Sequence, residues 1–140
     1  MAGGDGMDME FVESLRMSKR KEYMKLSELS DLTEQLAQAT DRRDEVSAKM
    51  LVAMRQQPLL ELHEIEETIR EGVLHQEEED AIRLSALMDG EEVSGPLLEE
   101  EQALREMCER NRRVMERIAS VDRRVSLGLG GKRSFYNNFR

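Results

Sequence analysis

The sequence predicts an all-α fold: an elongated antiparallel helical bundle, or coiled coil, of three long helices with a flexible C-terminal tail. Apolar residues recur at alternating steps of three and four along most of the chain, which is the spacing of one helix face. Apart from Gly72, glycine and proline are confined to a few positions that divide the chain into three long stretches. The 140 residues include only three phenylalanines, two tyrosines and no tryptophan, so the apolar side chains suit narrow seams between helices.

The first helix is predicted over about residues 8–56, because no glycine or proline occurs from Met7 to Gln57. We expect this helix to be continuous, with its first residues either overhanging the other helices or bending. A heptad seam runs along its second half, and only Arg43 interrupts it. The seam consists of Leu29, Leu32, Leu36, Ala39, Arg43, Val46, Met50 and Ala53.

The second helix is predicted over about residues 58–89. Pro58 suits its first position, since the N–H that proline lacks is unpaired there in any helix. Gly90 stands where a left-handed C-terminal cap would end it. A polar run interrupts its apolar pattern, and we expect this run to be its weakest part. The run is Gln76, Glu77, Glu78, Glu79 and Asp80.

The third helix is predicted over about residues 96–127, with Pro96 at its first position and Gly128 as its cap. The polar residues Asn111 and Arg43 stand at seam positions. Either they fix the register of the helices by requiring a specific partner, or the seam stays exposed until a client binds. The seam of the third helix is Leu97, Glu101, Leu104, Cys108, Asn111, Met115, Ile118, Val121 and Val125.

Acidic residues are concentrated in one part of the chain. The segment from Glu61 to Glu101 has fifteen acidic residues and two arginines, within a chain of net charge -9. Either this segment pairs with basic residues of the first helix, or it is an acidic docking face for a basic partner. The basic residues in question are Arg16, Lys19, Arg20, Lys21 and Lys25.

The composition argues against nucleic acid as a partner, against a membrane span and against secretion. An acidic chain is a poor match for nucleic acid, which is bound through clustered lysine and arginine. No apolar run approaches the length of a membrane span, and the first residues do not have the pattern of a secretory signal. We therefore expect a cytoplasmic protein with protein partners, which could include a second copy in a homodimer.

No pattern of residues predicts catalysis or a cofactor. Cys108 is the single cysteine, and it falls at a seam position where it is expected to pack. His63 and His75 do not have the spacing of a metal site and are expected on the surface. No nucleophile, base and oxyanion donor come together, so we expect no enzymatic activity, no metal and no cofactor.

The bundle is expected to take in residues 1–127, and residues 128–140 form a Gly-rich, basic and aromatic tail. Three of the chain's five aromatic residues lie in its last six positions. Either this tail is a docking motif, since aromatic residues and arginine dominate small interfaces, or its aromatic residues fold back on the bundle. The docking candidates are Lys132, Arg133, Phe135, Tyr136 and Phe139.

Ten methionines are a second unusual feature of the composition. Methionine is flexible and polarizable, so it either fills the core or lines a groove that adapts to a client. The methionines concerned include Met17, Met24, Met50, Met54, Met107 and Met115.

With these features the chain resembles the small flagellar export chaperones of the FlgN type, and less closely those of the FliT type. The resemblance spans most of the chain and is carried by the leucine heptads and three short runs. These are Leu32-Thr33-Glu34-Gln35-Leu36, then Asp44-Glu45-Val46 leading to Met54-Arg55, and Glu109-Arg110-Asn111-Arg112-Arg113-Val114-Met115.

The resemblance implies a non-enzymatic cytoplasmic chaperone that binds an amphipathic segment of a flagellar subunit, of the hook-filament junction type, and delivers it to the export apparatus. It also implies that Tyr136 and its neighbours serve docking. A helix-in-groove contact would place the client on the heptad stripe of the third helix. The client-binding candidates are Leu104, Met107, Asn111, Met115 and Ile118.

Two other functions are consistent with the same sequence. The chain could be a structural coiled-coil adaptor that self-associates or bridges an assembly through its long first helix. It could also be a small regulator that sequesters another protein through its tail.

Overall fold

The structure of the chain, a computed structural model, describes residues 7–128. Every regular element in that range is helical, which confirms the all-α prediction. Five helices replace the three that the sequence predicted. They are α1 (Met9–Asp41), α2 (Glu45–Met54), α3 (Gln56–Leu74), α4 (Glu78–Asp89) and α5 (Glu99–Gly128).

The expectation of one continuous helix over residues 8–56 was wrong, because the chain turns between α1 and α2. Arg43 adopts a left-handed conformation with φ 59°. The N–H of Asp44 donates to the carbonyl of Ala39 at 2.8 Å, and the N–H of Arg43 donates to that of Thr40 at 3.0 Å. This pair of bonds is a Schellman ending. The carboxylate of Asp44 then caps α2 by accepting from the N–H of Ser47 at 3.1 Å.

Only Arg55 separates α2 from α3, and its backbone keeps a right-handed helical conformation. Helix α3 begins at Gln56, so Pro58 is its third residue rather than its first. Proline is tolerated at either position, because the N–H groups of the first turn have no partner within the helix.

The second predicted helix, 58–89, is two helices. Residues 75–77 are not helical, and the acidic run that we had read as a weak helix centre begins α4. Glu78, Glu79 and Asp80 occupy the first turn of α4. Negative charge is favourable there, because the N-terminus of a helix carries partial positive charge.

Gly90 ends α4 as predicted, in the left-handed conformation with φ 82°. Two arginines of α5 then contact the end of α4: Arg112 donates to the carbonyl of Met88 at 2.6 Å, and Arg105 donates to that of Leu87 at 3.4 Å. The bond from Arg112 satisfies a carbonyl that the last turn of a helix leaves unpaired. The bond from Arg105 adds a second donor to the Leu87 carbonyl, which also accepts from the N–H of Gly90 at 3.3 Å.

The third predicted helix, 96–127, begins three residues later than expected. Helix α5 starts at Glu99, so Pro96 lies in the connection that precedes it, and the helix includes Gly128. Leu98 flanks its start, and the carboxylate of Glu101 accepts from the N–H of Leu98 at 3.0 Å. This contact is one half of a capping box, which sets where the helix begins.

The described chain divides into two compact units. Unit 1 consists of residues 7–24 and 63–112. Its core takes in residues from α1, α3, α4 and α5. The first turns of α1 are part of this core, which rules out the first of the two alternatives for them, that they overhang the other helices. The buried members are Val12, Leu15, Ile69, Val73, Leu84, Leu87, Leu104 and Cys108.

Unit 2 consists of residues 25–62 and 113–128. It has two apolar clusters, one of which joins α1, α3 and α5 through Leu26, Leu29, Leu62 and Ile118. The second joins α1, α2 and α5. Its members are Leu32, Leu36, Ala37, Ala39, Ala48, Leu51, Val52, Val121 and Val125.

Candidate protein-binding surface

The client-binding residues expected on the third helix do not form an accessible stripe. Leu104 is 0% exposed in the core of unit 1, and Ile118 is buried in unit 2. Asn111 is also buried, Met107 is half-buried, and only Met115 is exposed. These side chains alternate between packing positions and surface positions of α5. A client helix could therefore not reach the five of them together while both units keep these cores.

Asn111 has a specific partner, which is the first of the two alternatives that its seam position left open. Its side-chain N–H donates to Glu22 Oε1 at 2.7 Å and to the carbonyl of Lys19 at 2.9 Å. Glu22 is buried too, and Lys19 Nζ lies 3.2 Å from the same Oε1. A buried carboxylate needs such donors, so this group fixes how α5 lies against α1 within unit 1. Arg43, the other polar seam residue, is exposed in the turn after α1.

Arg83 and Glu101 form an ion pair in unit 1 that the sequence analysis missed. Arg83 Nε lies 2.7 Å from Glu101 Oε2, and Nη2 lies 2.9 Å from Oε1. The third nitrogen of Arg83 donates to the carbonyl of Ser94 at 2.8 Å. The hydrogen bonds between the two side chains lower the pKa of the Glu101 carboxyl and raise the pKa of the Arg83 guanidinium. The pair holds α4, the connection and the start of α5 together.

Cys108 is buried in the core of unit 1, as its seam position predicted. Burial raises the pKa of its thiol to about 11. The thiol is therefore protonated at neutral pH, whereas nucleophilic attack and metal binding need the thiolate. His63 and His75 are exposed, as expected. In residues 7–128 no group of three or more His, Cys, Asp or Glu side chains is placed to hold a metal ion.

A shallow groove of about 360 Å³ opens on unit 1. Its apolar lining is Ile69, Val73, Leu74 and Met88, and its charged lining is Lys19, Glu66 and Arg70. Both cations already contact carboxylates of their own helices, at 3.2 Å for Lys19 and 2.5 Å for Arg70. The groove therefore offers little unpaired charge to a small anionic ligand.

Charge is divided unequally between the units. Within the described ranges, unit 1 has twenty acidic and nine basic residues, whereas unit 2 has nine of each. The basic residues of α1 contact few members of the acidic segment. Arg16 pairs with Glu13 and Lys19 with Glu22, while Lys25 contacts Glu28 and also Glu61 at 3.0 Å. The run that begins α4 makes no ion pair in the described part of the chain.

Helix α2 presents an apolar face to solvent on unit 2. Val46 is 76% exposed, Met50 is 55% exposed and Met54 is 49% exposed. Ala53 is exposed as well. These residues stand at positions i, i+4, i+7 and i+8, which is one side of a helix. Lys49 lies at the edge of this face and is also exposed. We call Val46, Met50, Ala53 and Met54 the α2 face.

The opposite side of α2 is buried. Ala48, Leu51 and Val52 pack in the core of unit 2, about half a turn away from the α2 face. Arg55, which follows α2, is buried too, and its Nη2 lies 3.3 Å from Asp122 Oδ2 of α5. A helix that is apolar on both sides is normally covered on both sides. The α2 face is therefore the described surface best suited to bind another chain.

The docking-tail candidates Lys132, Arg133, Phe135, Tyr136 and Phe139 lie outside the described residues. No helix within residues 7–128 is long and apolar enough to cross a membrane. Comparison of the chain with protein-family models, with curated proteins and with solved structures found no match.

Proposed function

We propose that this protein is a non-enzymatic chaperone that holds an amphipathic helical segment of a client protein against the α2 face. The observation that carries the proposal is the exposure of Val46, Met50 and Met54 on a helix whose other side is already buried. Exposed apolar area of this kind favours association, because covering it removes the area from water.

The α2 face matches one helix in size and chemistry. A helix of 10 residues is about 15 Å long, so the face spans nearly three turns. A client helix with apolar residues at i, i+3 or i+4 and i+7 could lie along it. Methionine side chains are flexible, and Met50 and Met54 could adjust to more than one client.

The resemblance to FlgN-type chaperones supports a particular client. It favours a flagellar subunit of the hook-filament junction type, bound in the cytoplasm and passed to the export apparatus. In this proposal the tail residues Lys132, Arg133, Phe135, Tyr136 and Phe139 contact the export apparatus, while α2 contacts the client. The site of client binding thus moves from the third predicted helix to α2.

The proposal is tested by affinity capture from a native lysate of the source cell, with identification by mass spectrometry. Three baits are used: the full chain, Met50→Asp and Ile82→Asp. Met50→Asp places a charge in the centre of the α2 face, where it opposes an apolar contact. Ile82→Asp makes the same kind of change at an exposed position of α4, in unit 1, and is the matched control.

We expect the full chain and Ile82→Asp to capture hook-filament junction subunits, and Met50→Asp to lose them. Capture by all three baits would contradict binding at α2. Recovery of the chain itself, with no flagellar protein, would contradict the chaperone and favour a structural adaptor that self-associates. Circular dichroism of each bait shows whether a loss of capture comes from unfolding.

A further inference from the structure

Met50 and Met54 lie one helical turn apart on the α2 face, and the side chain of each is about half exposed. Their thioether sulfurs are the oxidisable groups of that face, because Val46 and Ala53 are pure hydrocarbon. The buried side of α2 contains no methionine. An oxidant can therefore make the face polar while every packed side chain of α2 stays unchanged.

We infer that Met50 and Met54 are an oxidation-sensitive pair, whose conversion to methionine sulfoxide releases the client. This inference rests on the proposed function of the α2 face. In each reaction the sulfur attacks one oxygen of hydrogen peroxide, the O–O bond breaks and an S–O bond forms. The sulfur loses two electrons and the peroxide is reduced to water. Methionine sulfoxide reductases reverse the change with electrons from thiols.

Both sulfoxides fall where a client contact needs an apolar surface. A sulfoxide is polar and chiral, so it opposes the transfer of the side chain from water into the interface. The apolar contribution of one fully covered methionine corresponds to roughly a tenfold change in affinity or more. Oxidation of both residues should therefore weaken binding by at least about tenfold.

The other methionines provide internal comparisons. Met17 and Met24 are exposed on α1 but belong to unit 1, so their oxidation leaves the α2 face apolar. Met88 is half-buried and packs against the core of unit 1. Peroxide should therefore reach Met50 and Met54 faster than Met88.

The experiment uses the full chain and a fluorescein-labelled amphipathic peptide of 18 residues as the probe, with leucine along one face and alternating glutamate and lysine on the other. Fluorescence anisotropy gives the affinity before and after treatment with hydrogen peroxide. Peptide mapping by mass spectrometry gives the extent of oxidation at each methionine. The test variant is Met50→Leu with Met54→Leu, which preserves an apolar face that cannot be oxidised. The matched control is Met17→Leu with Met24→Leu.

We expect the wild-type chain and the matched control to lose about tenfold or more in affinity on oxidation, and the test variant to keep its affinity. Treatment with methionine sulfoxide reductase should restore the affinity of the wild-type chain for the peptide. An equal loss of affinity in the test variant would overturn this inference and leave the proposed function standing. Unchanged binding by a chain fully oxidised at Met50 and Met54 would do the same. No binding of the probe before oxidation would instead contradict the proposed function, and the inference with it.

Discussion

Arg83 and Glu101 are joined by two hydrogen bonds, of 2.7 and 2.9 Å, although they lie 18 residues apart on different helices. Glu101 is 2% exposed and also accepts the N–H of Leu98. Arg83 reaches the carbonyl of Ser94 in the connection between α4 and α5. This ion pair thus joins α4 to the start of α5, and Arg83 also holds the connection between them at Ser94.

Glu101→Gln should destabilise the chain by about 1.5–3 kcal/mol, because it removes a charged hydrogen-bond acceptor and leaves Arg83 with a weaker partner. The free energy of unfolding in urea at pH 7 measures this change. Glu99→Gln alters an exposed carboxylate of the same turn and should have little effect. Equal stability of the two variants would mean that the pair does not hold the connection.

The same pair predicts a dependence of stability on pH. The pKa of Glu101 is lowered in the folded chain from an ordinary value of 4.5. Its contribution is therefore fully present above that ordinary value, and it is lost as pH falls through the lowered pKa. The wild-type chain should lose stability between neutral and acidic pH more steeply than Glu101→Gln. Parallel curves for the two proteins would contradict this assignment.

Leu104→Ala should destabilise the chain by about 2–5 kcal/mol, because a fully buried leucine leaves a cavity in the core of unit 1. Leu98→Ala makes the same change at an exposed position just before α5 and should be nearly neutral. The free energy of unfolding in urea, measured for both variants, distinguishes the two effects. If Leu104→Ala instead left stability unchanged and weakened client binding, Leu104 would belong to a client surface after all.

Arg43→Gly should stabilise the chain by up to about 1 kcal/mol, because glycine adopts a left-handed φ without the steric cost that a side chain carries. Arg43→Val should have the opposite sign, since a β-branched residue is strained in that conformation. Thermal unfolding of the two variants is the measurement. The same sign for both would show that the turn between α1 and α2 does not constrain the backbone at this residue.

The heptad pattern predicted helical structure correctly, but it gave three helices where the structure has five, and its stripe does not match the buried side of α2. Val46, Met50 and Ala53 continue the seam of α1 in sequence, so the pattern placed them on the same stripe as Leu29 to Ala39. The turn at Arg43 resets the helical phase, so Leu51 and Val52 are buried instead. A periodicity count has no means of detecting such a reset when no glycine or proline marks the turn.

Other parts of the site had weaker signals in the sequence. Asp44 is a favoured N-cap residue, and in the structure its carboxylate accepts from the N–H of Ser47 at the start of α2. The acidic run at residues 77–80 could have been read as a helix start, because negative residues are favoured in a first turn. The partner of Asn111 could not be predicted, since Glu22 lies 89 residues away and appears as an ordinary surface charge in the sequence.

The central claim is that a client helix covers the α2 face. Hydrogen–deuterium exchange of the full chain, measured with and without a hook-filament junction subunit, tests this claim most directly. We predict slower exchange in α2, over Glu45–Met54, when the subunit is present. Unchanged exchange in α2, with protection confined to α5 or to unit 1, would contradict the account.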